Sequence, residues 1–151
     1  MKEVIEWSDA LSTGVKEIDD QHKTLVDMLN ELNEAVHGGW GKDARKMVID
    51  KLFEYTAIHF ATEESLMRVS KYPRADAHKK QHDDLVDMVK DYLKQYEQNP
   101  NASSYDLIFF LKRWLTDHIM RDDKLFGGYL VKNGAGVGDG KKSWLRRVLG
   151  L

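Results

Sequence analysis

The sequence predicts an all-α protein: an antiparallel up-down-up-down four-helix bundle with an N-terminal arm and a flexible C-terminal tail. In four long segments, apolar residues recur at steps of three and four, which is the period of an amphipathic helix. No segment alternates as a strand does, and the 151 residues include only two prolines. We expect residues 1–132 to form the bundle with its arm and residues 133–151 to form a glycine-rich linker and tail.

The first helix is predicted over roughly residues 18–37 and the second over roughly residues 42–68. Gly38 and Gly39 follow the first periodic segment, and glycine is favoured at a helix C-terminus. One face of each helix carries apolar residues interrupted by polar ones. The two stripes are Ile18, His22, Leu25, Leu29, Leu32 and Val36, then Leu52, Thr56, His59, Glu63 and Met67.

A break at residues 71–73 precedes the third helix, which is predicted to end before Asn99 and Pro100. The fourth helix is expected to begin near Ser103 or Ser104, because serine is a favourable N-cap residue. Short connections between long helices make antiparallel neighbours the default arrangement. The inner stripes are His78, His82, Leu85, Val89, Leu93 and Tyr96, then Ile108, Leu111, Leu115 and His118.

Polar residues on the inner stripes fall at alternating helix ends, which an antiparallel bundle brings to one pole. In chain order these are a helix start, an end, a start and an end: His22; His59 with Glu63; His78 with His82; and His118. A buried carboxylate without a partner costs on the order of several kcal/mol, so Glu63 requires a partner. A metal ion is the partner that the surrounding histidines indicate.

Two of these pairs have the spacing of four that directs both side chains to one point. Asp122 and Asp123, in the predicted turn after His118, offer further carboxylates. Imidazole and carboxylate ligands suit iron, manganese or zinc, so the ligand types leave the metal open. Five histidines and two carboxylates exceed the needs of one octahedral ion but suit two.

Four motifs in order, DQH at 20–22, HxxxE at 59–63, HxxxH at 78–82 and HxxxxD at 118–123, resemble the hemerythrin family. The resemblance covers about residues 5–130 and includes Trp7 in the N-terminal arm. Its motif spacing selects Glu63 over Glu64 and Asp123 over Asp122. The iron ligands that it implies are His22, His59, Glu63, His78, His82, His118 and Asp123.

The resemblance implies two iron ions joined by Glu63, Asp123 and an oxo or hydroxo bridge. Three histidines would hold the filled iron, while His22 and His59 would hold the iron with an open position for dioxygen. The expected function is reversible dioxygen binding for storage, delivery or scavenging, without enzymatic turnover. The alternatives are a diiron oxidase, a peroxidase, a nitric-oxide-handling enzyme, or an oxygen sensor that acts through a separate partner.

An apolar dioxygen pocket is expected beside the ligands. Its candidate residues are Leu25, Val26, Phe60, Met67, Trp114 and Leu115. Absent cysteine excludes thiolate metal sites, and a lone catalytic zinc is disfavoured because HExxH is missing. The net charge of −2 implies no general affinity for nucleic acid. The opening residues lack an apolar signal core, so we expect a cytoplasmic protein.

The tail combines apolar and basic residues and carries a net charge of +3 over residues 133–151. As a helix it would dock on a protein partner or on an anionic membrane surface, at the periphery of the inner membrane. The alternative is a disordered end or a segment folded back on the bundle. The candidate docking residues are Lys141, Lys142, Trp144, Leu145, Arg146, Arg147, Val148 and Leu149.

Overall fold

The computed structural model of the protein describes residues 2–134, with the side chain of Ser103 left out. The tail predicted over residues 133–151, with its docking residues at positions 141–149, therefore lies almost wholly outside the described residues and stays a prediction. No helix among the described residues is both long and apolar enough to cross a membrane.

The described part of the chain is helical and contains no strand. A short 3-10 turn at Asp9–Leu11 closes the N-terminal arm. The helices are α1 (Lys16–His37), α2 (Lys42–Val69), α3 (Ala75–Gln98), α4 (Pro100–His118) and α5 (Lys124–Lys132), with a π-helical turn at Ile119–Asp123 between the last two. Because α5 continues α4 through this turn, the architecture is the predicted four-helix bundle, and the fold prediction is confirmed.

The start of α4 differs from the sequence prediction, which placed it near Ser103 or Ser104. The helix begins at Pro100, and Asn99 precedes it with the extended φ of −145°. Proline suits the first helical position because the N–H that it lacks would have no intrahelical acceptor there. Ser104 lies inside the helix, where its hydroxyl donates to the carbonyl of Pro100 at 2.6 Å.

The segment after His118 also differs from its prediction as a turn. Residues 119–123 form a widened helical turn, and the helix then continues as α5 to Lys132. In a π-helix the hydrogen bonds join residues five apart, so one residue more than usual is accommodated in the turn. The widened turn sets the relative positions of His118, which precedes it, and Asp123, which is its last residue.

Two apolar clusters lie on either side of the polar pole. The larger contains most of the buried core, including Leu29, Leu32 and Ile49. The smaller lies further out at the pole and contains Ile18, Leu66, Met67, Tyr72, Phe126 and Leu130 among its buried members. Ile18 and Leu25 flank His22 on α1 and belong to different clusters. The polar residues at this pole therefore lie between the two apolar clusters.

Gly127 in α5 packs against the N-terminal arm without room for a side chain. A Cβ atom there would lie 2.3 Å from the carbonyl oxygen of Thr13. We expect Gly127→Ala to lower the free energy of unfolding by about 1–3 kcal/mol, because backbone must move to relieve the overlap. Urea unfolding followed by circular dichroism measures the change.

Gly128 is the matched control, because a Cβ atom at this neighbouring position meets nothing within 4 Å. Gly128→Ala is expected to be neutral or stabilising by up to about 1 kcal/mol, since alanine favours a helix. Equal unfolding midpoints for the two variants would contradict the close packing of α5 on Thr13.

Candidate metal centre

All seven side chains predicted as metal ligands lie together at one pole of the bundle. None exceeds 3% exposure: His22 0%, His59 1%, Glu63 1%, His78 3%, His82 1%, His118 3% and Asp123 1%. Each of the four helices of the bundle, with α4 and its continuation through α5 counted as one, contributes at least one of them. So many buried titratable groups are rare in a protein core unless they are paired or coordinate a metal.

The seven residues form two overlapping groups, and within each group one donor atom per residue lies within 4.8 Å of all the others. The groups differ in their histidines and share both carboxylates. One consists of His22, His59, Glu63 and Asp123, and the other of Glu63, His78, His82, His118 and Asp123. The five histidines are therefore divided into a group of two and a group of three.

Glu63 divides its two oxygens between the groups. Its Oε1 lies 3.6 Å from Nε2 of His22 and 3.3 Å from Nε2 of His59. Its Oε2 lies 3.4 Å from Nε2 of His78 and 3.2 Å from Nε2 of His82. A carboxylate in this orientation can bind one ion through each oxygen.

Asp123 divides its oxygens in the same manner. Its Oδ2 lies 2.8 Å from Nε2 of His22, whereas its Oδ1 lies 3.0 Å from Nε2 of His78 and 3.1 Å from Nε2 of His118. The π-helical turn explains why a residue five positions after His118 can join it on one face, since an α-helix aligns residues three and four apart.

The neighbouring acids lie outside the cluster, as the motif spacing indicated. Glu64 lies 3.6 Å from the ammonium group of Lys79 near the surface. Asp122 accepts a hydrogen bond from the amide of Gln81 at 3.2 Å and lies behind His118. These contacts leave Glu63 and Asp123 as the two carboxylates in the centre of the cluster.

Several buried polar atoms of the cluster have no hydrogen-bond partner among the described residues. They include Nε2 of His22 and His78, Oε2 of Glu63 and both carboxylate oxygens of Asp123. Buried polar atoms are normally satisfied, so their concentration in one place needs an explanation. A cation satisfies them, because every one of these atoms can donate an electron pair.

Charge favours cation binding as well. Burial opposes ionisation of Glu63, yet the surrounding histidines, led by His59, hold its pKa well below the usual value. The pKa of Asp123 is also lowered, since the histidines outweigh both its burial and the charge of Glu63. Both groups are therefore carboxylates at neutral pH, and two buried anions attract divalent ions strongly.

The pKa values of the histidines shift in opposite directions. Burial disfavours the charged form of His22 and His78, but the carboxylates of Asp123 and Glu63 close to their Nε2 atoms prevail and raise the pKa of each to about 9. Burial lowers the pKa of His82, which favours its neutral form. Because a metal ion needs neutral imidazole, binding at this site displaces protons from the first two.

Hydrogen bonds from outside the cluster orient two of the imidazoles, and these partners were not predicted from the sequence. The side-chain oxygen of Gln21 lies 2.6 Å from Nδ1 of His59, and that of Gln81 lies 3.0 Å from Nδ1 of His118. An amide oxygen only accepts, so Nδ1 carries the proton and Nε2 remains free to bind metal. The repeated dipeptide Gln-His, at 21–22 and 81–82, was the available signal.

An apolar cavity of about 260 Å³ adjoins the cluster on its inner side. Four of the six predicted pocket residues line it: Leu25, Phe60, Trp114 and Leu115. The ring of Phe60 stacks on His82 with centroids 3.7 Å apart, and that of Trp114 stacks on His118 at 4.4 Å. These two rings therefore lie between the cavity and the imidazoles of His82 and His118.

The other two predicted pocket residues, Val26 and Met67, are buried but do not line this cavity. Met67 belongs to the smaller apolar cluster. It lies one turn beyond Glu63 on α2, on the side of the metal ligands that faces away from the larger core. Val26 packs in the larger core.

Relatives of the chain carry the same kind of domain. Residues 13–130 match the Hemerythrin HHE cation binding domain. A bacteriohemerythrin from Pseudomonas aeruginosa (strain LESB58) is 39% identical over 117 residues, which cover 78% of this chain and 75% of that protein. A bacteriohemerythrin from Methylococcus capsulatus (strain Bath) is 36% identical over 122 residues, covering 80% of this chain and 92% of that protein.

Solved structures similar to this chain are hemerythrins as well. The crystal structure of wild-type hemerythrin superimposes with a TM-score of 0.75 at 34% identity, covering 83% of this chain and 97% of that one. A hemerythrin variant with leucine replaced by tyrosine gives a TM-score of 0.77 at 33% identity, covering 85% and 98%. The family domain spans most of the chain, and the chain belongs to the hemerythrin family.

Proposed function

We propose that this protein binds dioxygen reversibly at a non-haem diiron centre, for storage, delivery or scavenging of oxygen. Membership of the hemerythrin family supports the choice of iron and dioxygen. The observation that carries the proposal is the pair of carboxylates, Glu63 and Asp123, each with its two oxygens facing different histidine groups. This arrangement suits two ions held side by side.

The chain's own donors define an unequal pair of positions. His78, His82 and His118 would hold one ion, while His22 and His59 would hold the other, with both carboxylates shared. Five imidazole nitrogens and four carboxylate oxygens would be available as donors to the two ions. The group with His22 and His59 offers one imidazole fewer than the other group, so it would leave more room for an external ligand. Bound iron would supply the electrons for reversible dioxygen binding.

The apolar cavity supports binding over turnover. Among the described residues that line it, Lys90 alone has a charged side chain, and this residue is exposed at the surface. The hydroxyl of Thr56 is occupied, because it donates to the carbonyl of Leu52 at 2.7 Å. A largely apolar wall limits the supply of protons to a bound gas molecule, whereas an oxidase requires a route for protons.

The decisive experiment loads the anaerobic protein with ferrous iron, admits oxygen, and then purges it while the optical spectrum is followed. We expect an absorbance change that reverses on purging over repeated cycles. Irreversible bleaching, release of peroxide, or turnover of an added reductant would contradict the carrier and support the oxidase or peroxidase. A Glu63→Gln protein treated identically provides the blank.

The outer glutamines give a second prediction. Gln21→Leu leaves Nδ1 of His59 without its amide acceptor, so we expect ferrous iron affinity to fall about 10- to 100-fold. Gln81→Leu should cost less, because Oδ2 of Asp122 remains 3.4 Å from Nδ1 of His118. Competition with a chromophoric chelator measures both affinities.

Gln95→Leu on the exposed face of α3 is the matched control and should leave iron affinity unchanged. The role of Gln21 in orienting His59 would be disproved if Gln21→Leu bound iron as tightly as this control.

A further inference from the structure

The pole opposite the metal centre contains a buried arginine without an anionic partner. Arg45 lies in the first turns of α2 and is 9% exposed. Its Nη2 donates to the side-chain oxygen of Asn101 at 3.1 Å, and its Nε has no hydrogen-bond partner among the described residues. No ion pair within the described part of the chain includes Arg45.

A guanidinium group is charged at every pH at which the protein is folded. Buried charges are almost always paired, because an unpaired one loses hydration without compensation. A neutral amide, such as that of Asn101, satisfies one N–H but not the charge. An anion from outside the chain would satisfy both the charge and Nε.

Arg45 lines a cavity of about 210 Å³ that has aromatic side chains at its rim. Trp40 and Tyr105 line this cavity too, and they are 40% and 53% exposed respectively. The remaining lining residues are Val36, Gly39 and Asn101, so no acidic side chain of the described residues faces an incoming anion there. The cavity combines one cationic group with apolar, planar surfaces.

The backbone around the cavity fixes these groups. Gly39 adopts a left-handed φ of +71°, and the amide of Trp40 then donates to the carbonyl of Ala35 at 3.0 Å. This closure of α1 holds the indole beside the start of α2. The ring of Tyr105 contacts that of His37 edge-on, with centroids 5.3 Å apart.

The start of α2 adds little to the positive potential of the cavity. Its N-cap residue is Gly41, which has no side chain to accept from the free N–H groups of the first turn, but Asp43 in that turn offsets the positive end of the helix dipole. None of residues 41–43 lines the cavity. The guanidinium of Arg45 is therefore the cationic group of the site.

We propose that this cavity is a second ligand site, which binds a small planar organic carboxylate. The carboxylate would accept hydrogen bonds from Arg45, whose planar N–H edge matches two carboxylate oxygens. The apolar ring of the ligand would cover the exposed faces of Trp40 and Tyr105. Inorganic phosphate would satisfy the charge but leave both aromatic surfaces in water, so a carboxylate with an aromatic body fits better.

Calorimetric titration of the full-length iron-loaded protein with benzoate tests the proposal. We expect saturable binding of one benzoate per chain, much weaker binding of inorganic phosphate, and no binding of benzamide, which has the same shape without the charge. Absence of benzoate binding at millimolar concentration would overturn the proposal. Phosphate binding as tight as that of benzoate would overturn the assignment to a planar carboxylate.

Arg45→Met retains most of the volume and removes the charge. We expect it to weaken benzoate binding by more than about ten-fold without lowering the melting temperature, because an unpaired buried charge is also removed. Lys46→Met is the matched control: it removes one charge from the next residue, which is exposed and pairs with Asp50 at 2.8 Å. This control should bind benzoate as the unmodified chain does.

If benzoate bound at the metal centre instead, its binding would persist in Arg45→Met. That result would overturn the proposal.

A second variant keeps the test valid if Arg45→Met unfolds. Trp40→Ala alters a partly exposed side chain and should weaken benzoate binding about three- to ten-fold through the lost ring contact. Unchanged binding in Trp40→Ala would likewise count against the site.

Discussion

Replacing Glu63 by glutamine is expected to abolish iron binding. This carboxylate contacts a histidine from each of three helices, and its two oxygens face both histidine groups. An amide keeps the shape but removes the charge, and its nitrogen cannot bind a cation. We expect the affinity for ferrous iron to fall by more than about 100-fold, beyond the effect of losing an outer contact. Colorimetric iron analysis after gel filtration measures the bound metal.

Glu64→Gln provides the control at the next position. It makes the same chemical change, but Glu64 faces Lys79 near the surface rather than the cluster. Iron content should match that of the unmodified chain. Full iron content in Glu63→Gln, or equal losses in both variants, would contradict the role assigned to Glu63.

Removal of iron is expected to destabilise the whole bundle. The donors come from all four rods and lie within reach of one ion only when the rods are assembled. Ligand that binds only the folded state at 1,000 times its dissociation constant contributes about 4 kcal/mol. For a chain of this size we expect the melting temperature to fall by roughly 10 °C or more after chelation.

Calorimetric scans of iron-loaded and chelated protein measure this difference. Chelator should have no further effect on Glu63→Gln, which lacks the iron to be removed. The same melting temperature with and without iron in the unmodified chain would mean that the ions do not link the helices, and the proposed ligand set would then be wrong.

The four helices and their shared pole were predictable because both follow from periodicity and topology. An apolar stripe identifies the inward face of each helix, and antiparallel packing fixes which ends meet. His22 and His118 lie at opposite ends of their helices in sequence, yet both belong to the cluster. No knowledge of side-chain contacts was needed for this step.

Asp123 was harder to predict from helix geometry alone. It lies five positions after His118, and this spacing places two side chains on different faces of a regular α-helix. The family motif selected the aspartate that lies in the buried cluster, whereas the physical reason, the π-helical turn at Ile119–Asp123, is visible only in the structure. The residues on either side of this turn give no signal for an inserted residue.

Contacts between helices could not be predicted from the stripes. Gln21 and Gln81 each lie one residue before a histidine but contact a histidine of another helix. The orphaned guanidinium of Arg45 was missed for a similar reason, since its position in α2 resembles that of an exposed cation. Such features depend on which partner lies opposite, and that is a property of packing rather than of one helix.

Anomalous diffraction at the iron edge from crystals of the iron-loaded protein tests the central claim most directly. We predict two peaks about 3.5–4 Å apart. One should lie beside Nε2 of His22 and His59, the other beside the three remaining histidines, with Glu63 and Asp123 reaching both. A single peak, or two peaks bound by other side chains, would contradict the paired site on which the proposed function rests.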